Sequence, residues 1–215
     1  MDAYRGLLEL IRSGELAVDA KVSEATLAER LGVSRTPVRE ALRVLDAQRL
    51  VISQGRGVRV RVPVARELTE AFQTRCALES YAAQEAAKAQ RDGLLLPARL
   101  REVERLAAVC DEATRVEGPV AGAEANRAFH LAVASLAGND QIDALLMSVW
   151  DQILIATRAG LTATPRVDDV HREHETILQA VADGLPDKAR IATTAHVEIT
   201  RSISLDPNDE TKDRA

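Results

Sequence analysis

Apolar residues repeat with helical spacing over most of the chain and with the spacing of a strand in one short stretch. Tyr4, Leu7, Leu8 and Ile11 stand at i, i+3, i+4 and i+7, which predicts a half-buried helix over residues 4–13. A second helix begins at Ser23, whose hydroxyl can accept from the first amides. It buries Leu27, Ala28 and Leu31 and ends at Gly32, where a left-handed residue is tolerated. Ser34 stands at the cap of a third helix. Pro37 falls in its first turn, where a missing N–H costs nothing, and Val38, Ala41, Leu42 and Leu45 form its buried stripe. Then the period changes. Val58, Val60 and Val62 alternate with Arg59 and Arg61, the pattern of a strand with one buried and one basic face, and the QGRG run at 54–57 reads as a turn between two strands. From Ala65 onward no useful alternation recurs. Six Ala- and Leu-rich amphipathic stretches, at about 66–91, 96–115, 120–137, 139–160, 166–183 and 186–204, predict an all-α bundle. The polar residues 206–215 read as a frayed tail.

Composition agrees with this pattern and adds a division of charge. Thirty-six alanines against 2% aromatics favour helix, because alanine loses no side-chain entropy there. The net charge of −5 is unevenly spread: residues 1–64 carry 11 Lys/Arg and 8 Asp/Glu, whereas 65–215 carry 17 and 25. Seven arginines (35, 39, 43, 49, 56, 59 and 61) fall within residues 35–61, a basic face on an acidic protein that suits a nucleic-acid-binding module. Cys76 and Cys110 lack the CxxC pairing of metal knuckles and redox sites and read as buried small hydrophobes. With no basic leader at the N-terminus and no run of about 18 apolar residues, neither an export signal nor a membrane span is expected, and the expected location is cytoplasmic.

Arg35, Arg39 and Arg43 follow at i, i+4 spacing and line a face that the apolar stripe does not use. Two helices around a tight turn, the second basic near its start, form a helix-turn-helix suited to a major groove about 12 Å wide. With the hairpin after it, this is a winged helix. Leu27 to Val51, LAERLGVSRTPVREALRVLDAQRLV, resembles the DNA-binding signature of the GntR superfamily of bacterial transcription regulators, and the likeness extends to IRSGEL upstream and GRGVRV downstream. The resemblance implies that Ser34, Arg35, Thr36 and Arg39 meet bases and phosphates, and that Gln54, Gly55 and Arg56 form the wing tip. Three features depart from the family pattern: Val18 and Asp19 replace a Pro-Gly turn, Arg49 replaces a glycine before Leu50, and Ala25 stands where some relatives place a polar DNA contact. The expected architecture is mainly α, with a winged helix-turn-helix of three helices and a small β-hairpin at 1–64. An all-helical domain of about six helices at 65–205 follows, then a polar tail at 206–215.

All four histidines, His130, His171, His174 and His196, lie after residue 129. Asn126 and His130 are four apart and share a helix face, while His174 and His196 belong to two further helices, so a bundle can converge these four residues on one point. Imidazole nitrogens at about 2.0–2.1 Å suit Zn²⁺, or another borderline ion such as Ni²⁺; the alternative is four polar residues bonded separately. RCALE at 75–79, NRAFH at 126–130, and the run from His174 to His196 resemble the FadR-like effector-binding subgroup called FCD. That resemblance implies a divalent metal held by Asn126, His130, His174 and His196 at the base of a ligand cavity. His171 matches no ligand position and reads as a neighbour of the site or a surface residue. Asn126 stands where an aspartate is commoner, which removes an anion from the metal's surroundings and favours a small carboxylate, organic acid or sugar acid as effector. Arg75 can grip such a carboxylate or pair with Glu79 at i+4, and Trp150 and Arg158 are further candidates for the cavity wall.

A metal with open positions also describes hydrolytic centres, so a metal-dependent hydrolase or other enzyme fused to a DNA-binding domain is the competing reading. There is no HExxH, GxSxG, GxGxxG or GxxxxGK[ST] motif, and HREHE at 171–175 has the wrong spacing for a zinc protease. The sequence therefore predicts a non-enzymatic regulator, a repressor in sign. It binds an inverted-repeat double-stranded operator as a homodimer, because two recognition helices must enter successive major grooves.

Overall fold

The computed structural model describes residues 2–18, 20–55, 57–158 and 166–205. The chain forms two compact units, one of residues 1–68 with 151–156 and one of residues 69–150 with 157–215.

In the first unit, α1 (Ala3–Arg12), α2 (Glu24–Leu31) and α3 (Arg35–Ala47) surround a core that contains Leu7, Ile11, Leu27, Val38, Leu45 and Leu50. Asp2 caps α1 by accepting from the Tyr4 amide, and Ser23 caps α2 by accepting from Thr26. Gly32 ends α2 at φ 66°, in the left-handed region that glycine enters without a Cβ clash. Val38, Ala41, Leu42 and Leu45 are all buried, so the stripe read from spacing is the face that packs. Ser34 occupies the cap position of α3 without a side-chain cap bond.

β2 (Val51–Gln54) and β3 (Gly57–Val60) pair antiparallel with Gln54 opposite Gly57. The sheet has a third strand that sequence periodicity does not reveal. This is β1 (Val22–Ser23), which adds antiparallel to β3 and gives the order β1-β3-β2. The basic strand also ends sooner than its alternation suggests: Val58 and Val60 are buried, but Val62 lies beyond the strand and is exposed. Pro63 follows at once, and its ring cannot donate to a ladder.

The second unit is built of α4 (Ala65–Arg91), α5 (Pro97–Glu112), α6 (Pro119–Ser135), α7 (Asp140–Thr157), α8 (Val167–Ala182) and α9 (Pro186–Ser204), with the ends of α4 and α7 belonging to the first unit. The last turn expected of α5 is instead a wider turn at 113–117, where Gly118 N–H reaches back to Ala113. α5 packs on α6 and α8, and α8 packs on α9. Ala83, Ala86 and Ala87 of α4 are fully buried with Phe129, Val133 and Ile177. Alanine's small side chain lets helix backbones approach closely there, which explains how an aromatic-poor chain still fills a core. Cys110 is buried and Cys76 half-buried, and both are free thiols. The expected tail at 206–215 lies outside the described residues. Among the described residues, no helix is long and apolar enough to cross a membrane.

Candidate DNA-reading surface and metal centre

Arg35, Thr36, Arg39 and Arg43 are exposed on α3, with Ser34 exposed at its start. The core stripe occupies the opposite face, so the polar row is free to meet a duplex. Arg39 is not loose, however. Its guanidinium grips Glu24 at the head of α2, with Nη2 2.8 Å from Oε2 and Nε 3.2 Å from both oxygens. This bond holds the Glu24 carboxyl below its ordinary value. Gln54 and Gly55 lie exposed at the hairpin turn, and Arg56 falls outside the described residues. Two of the seven clustered arginines are turned toward one carboxylate of their own chain. Arg61 donates to Glu67 at 2.5 Å and Arg49 stands 3.8 Å from the same carboxylate, so the basic face is narrower than the composition suggests.

In the helical unit His130 (α6), His174 (α8) and His196 (α9) converge, offering nitrogens within 4.8 Å of one another. Each ring is at most 3% exposed. Phe129 stacks on His174 at 4.3 Å and meets His130 edge-on at 5.2 Å, which fixes two of the three rings by packing. Burial holds the His130 imidazole below its ordinary value and, with neighbouring positive groups, holds His174 and His196 well below it, which favours the neutral, metal-binding form of all three. Asn126, one turn before His130, joins His174 and His196 in the wall of a cavity of about 190 Å³. Asn126 Oδ1 and the Nε2 atoms of all three histidines are buried and, among the described residues, have no hydrogen-bonding partner. Native proteins leave few such atoms unmatched, and three of these four belong to one cluster. Three imidazole nitrogens and an amide oxygen suit a borderline divalent ion.

The groups behind these ligands were not apparent from spacing. Glu79 is 3% exposed; its Oε1 accepts from Arg75 Nε at 2.9 Å and from Trp150 Nε1 at 2.8 Å, and its Oε2 lies 3.0 Å from His130 Nδ1. Burial pushes this carboxyl up, but Arg75 and His130 together outweigh burial and hold it far below the usual carboxylate range. Arg75 makes the pair with Glu79 that its spacing allowed, while its Nη2 is buried and, among the described residues, without a hydrogen-bonding partner. The carboxylate it holds is internal, its Cζ lies 3.9 Å from the Trp150 ring centroid, and it is not among the residues lining the cavity. Trp150 and Arg158 are likewise not among those residues. Glu173, one residue before His174, accepts from Arg166 Nη2 at 2.5 Å and lies 2.8 Å from His196 Nδ1. Burial raises its carboxyl, against the pull of Arg166.

His171 lines the cavity, partly exposed, 3.3 Å from Glu175. Burial pushes the Cys110 thiol in the same wall up to about 11, so in the metal-free cavity it stays protonated. Gly122 belongs to this wall because α6 passes tight against the widened turn. A Cβ there would stand 2.6 Å from Thr114 Oγ1.

Comparison with known proteins agrees with both halves of this description. Residues 2–60 match the model for bacterial regulatory proteins of the gntR family, and residues 70–199 match the FCD domain. The chain is 32% identical over 191 residues to the "Probable D-xylose utilization operon transcriptional repressor" of Paenarthrobacter nicotinovorans, covering 87% of this chain and 80% of that one. It is 32% identical over 200 residues to the Uxu operon regulator of Haemophilus influenzae, covering 84% and 71%. A solved GntR-type structure from Rhodococcus sp. RHA1 superposes with a TM-score of 0.77 at 29% identity over 94% of this chain and 95% of that one. Escherichia coli McbR/YncC shares the fold, with a TM-score of 0.79 at 22% identity over 94% of each chain. These relatives are transcription regulators, which sets the enzyme reading aside. The chain belongs to the GntR family of bacterial DNA-binding transcription regulators, in the FadR-like subgroup that joins a winged helix-turn-helix to an FCD effector-binding domain.

Proposed function

We propose that this regulator is a repressor whose hold on DNA is set by a small organic acid, bound in the cavity of its helical domain beside a divalent metal that Asn126, His130, His174 and His196 hold. Zinc fits the donor set first and nickel second. The observation that carries the reading is the convergence of three buried imidazoles next to a cavity that Asn126 lines, with all four donor atoms buried and, among the described residues, without hydrogen-bonding partners. When bound, the ion supplies a positive centre with open positions for a carboxylate. Asn126 donates an amide oxygen without charge, and all three imidazoles are neutral, so the donors leave the ion's charge uncompensated and favour an anion over a neutral sugar.

On the DNA side, Ser34, Arg35, Thr36 and Arg39 enter the major groove, while Gln54, Gly55 and Arg56 form the wing. The repressor acts in the cytoplasm as a homodimer on an inverted repeat, since one domain of charge near +3 neutralises too few phosphates to hold a site alone. Exposed Ile191 and Ile199 on α9 offer apolar surface to a second copy. An acid that binds one arrangement of the dimer better than the other shifts the population toward it, and a coupling of about 1–3 kcal/mol changes DNA affinity about 5- to 150-fold. The relatives that regulate the Uxu and Glc operons and a D-xylose operon support a metabolite effector.

The test selects an operator from random duplexes with the zinc-loaded protein and measures its affinity by fluorescence anisotropy against three- to six-carbon hydroxy and sugar acids. One acid is expected to weaken binding in the wild type but not in His174→Ala. A protein that binds DNA and zinc yet responds to none of the acids contradicts the reading.

A further inference from the structure

Two of the three clustered histidines turn their outer nitrogen toward a glutamate. His130 Nδ1 lies 3.0 Å from Glu79 Oε2, and His196 Nδ1 lies 2.8 Å from Glu173 Oε2. A neutral imidazole carries its proton on one nitrogen and its lone pair on the other, and an ionised carboxylate can only accept. Nδ1 therefore carries the proton where His196 bonds Glu173, and the charge of Glu79 beside His130 Nδ1, although Oε2 lies outside hydrogen-bonding alignment, favours the same tautomer there; the lone pair is left on Nε2, the atom that is buried without a partner in each. Each glutamate is itself held from behind. Arg75 and Trp150 donate to Glu79, and Arg166 donates to Glu173. Five helices contribute to these two arms: α4 with Arg75 and Glu79, α6 with His130, α7 with Trp150, α8 with Glu173 and its cap residue Arg166, and α9 with His196.

We propose that Glu79 and Glu173 are positioning residues for the metal centre, each fixing the tautomer and direction of one histidine so that its Nε2 points into the cluster. The assignment rests on the reading that this cluster holds a divalent metal. A carboxylate on the far nitrogen also makes an imidazole a stronger donor, and loss of such a partner typically lowers metal affinity about 10- to 100-fold. This matters more here than in a site with an anionic ligand, because Asn126 brings no charge of its own. The two arms differ in exposure: the Glu79 arm is sealed, whereas Arg166 lines the cavity, so the Glu173 arm borders the bound acid.

The experiment pairs zinc affinity, from competition with a chelator, with histidine tautomers read by ¹⁵N NMR on metal-stripped protein. In the wild type, two of the buried rings are expected as Nδ1–H tautomers. Glu173→Leu should release His196 from that state and lower zinc affinity about 10- to 100-fold. Glu173→Gln, which keeps a neutral acceptor of the same shape, should fall between. Glu79→Gln is tested beside an Arg75→Met/Glu79→Gln pair, because removing one member of the buried ion pair alone can unfold the protein. A wild type that binds zinc, with affinity and tautomers unchanged in folded Glu173→Leu and in the Arg75/Glu79 pair, overturns the positioning role and leaves the metal reading intact. A wild type with the stated tautomers that takes up no zinc overturns the metal reading, and this inference with it.

Discussion

Acid should destabilise the metal-free helical domain through its three buried histidines. His130, His174 and His196 are at most 3% exposed, and burial holds each below the ordinary imidazole value of about 6.5. The unfolded chain binds protons at these residues when pH falls through about 6.5 and the folded chain binds fewer, so stability is lost as pH falls. At pH about 5.5 an unfolded histidine with a pKa of about 6.5 gains roughly 1.4 kcal/mol from protonation, which sets an upper bound of about 4 kcal/mol for the three together. That is a large part of the roughly 5–15 kcal/mol that holds a domain folded. Glu79 responds with the same sign but in a separate window: its carboxyl is held low in the folded state, so its contribution is complete above about 4.5 and fades only below. Urea unfolding of chelator-stripped protein between pH about 7.5 and 5.5 measures the effect, and Trp150, the sole tryptophan, reports on this domain by its fluorescence. His174→Gln should remove about a third of the pH-dependent loss. A midpoint flat across this range, or a variant that loses as much as the wild type, refutes the argument that the three rings are buried and neutral.

Arg49 is the one non-glycine residue with positive φ among the described residues, at 62°. Arg49→Gly should raise stability by about 0.5–1 kcal/mol in urea titrations, because relief of the left-handed penalty exceeds glycine's entropic cost and the Glu67 contact at 3.8 Å is exposed. Phe129→Ala, which empties a fully buried site against two of the histidine rings, should cost about 3–5 kcal/mol and loosen zinc binding, as calorimetry and chelator competition would register. Arg39→Ala should weaken operator binding in anisotropy assays while leaving zinc content unchanged, and His174→Ala should do the reverse. A folded variant of either kind that loses both activities would contradict the division of labour.

The helical framework was legible because its signals are local. The caps at Ser23 and Gly32, the stripe from Val38 to Leu45, and the prolines that open α5, α6 and α9 fix those elements within a turn. β1 was not legible. Two residues carry no alternation, and their pairing with Val58 and Gly57 spans some 35 positions of sequence. The widened turn at 113–117 was read as ordinary helix because its residues keep an amphipathic composition. In the site, the i, i+4 spacing of Asn126 and His130 and the isolation of all histidines in one half pointed to a cluster. The roles of Glu79 and Glu173 did not follow, since each meets partners from other elements of the chain. Arg75 illustrates the limit. Its spacing to Glu79 admitted both an internal pair and a ligand contact, and only the burial of the pair beneath Trp150 separates them.

The most direct test of a metal-centred sensor is elemental mass spectrometry of the purified protein beside a His130→Ala/His174→Ala double variant. The account predicts about one zinc, or nickel, per wild-type chain and none in the variant. Neither sample retaining metal, even after incubation with added Zn²⁺ and Ni²⁺, would contradict it.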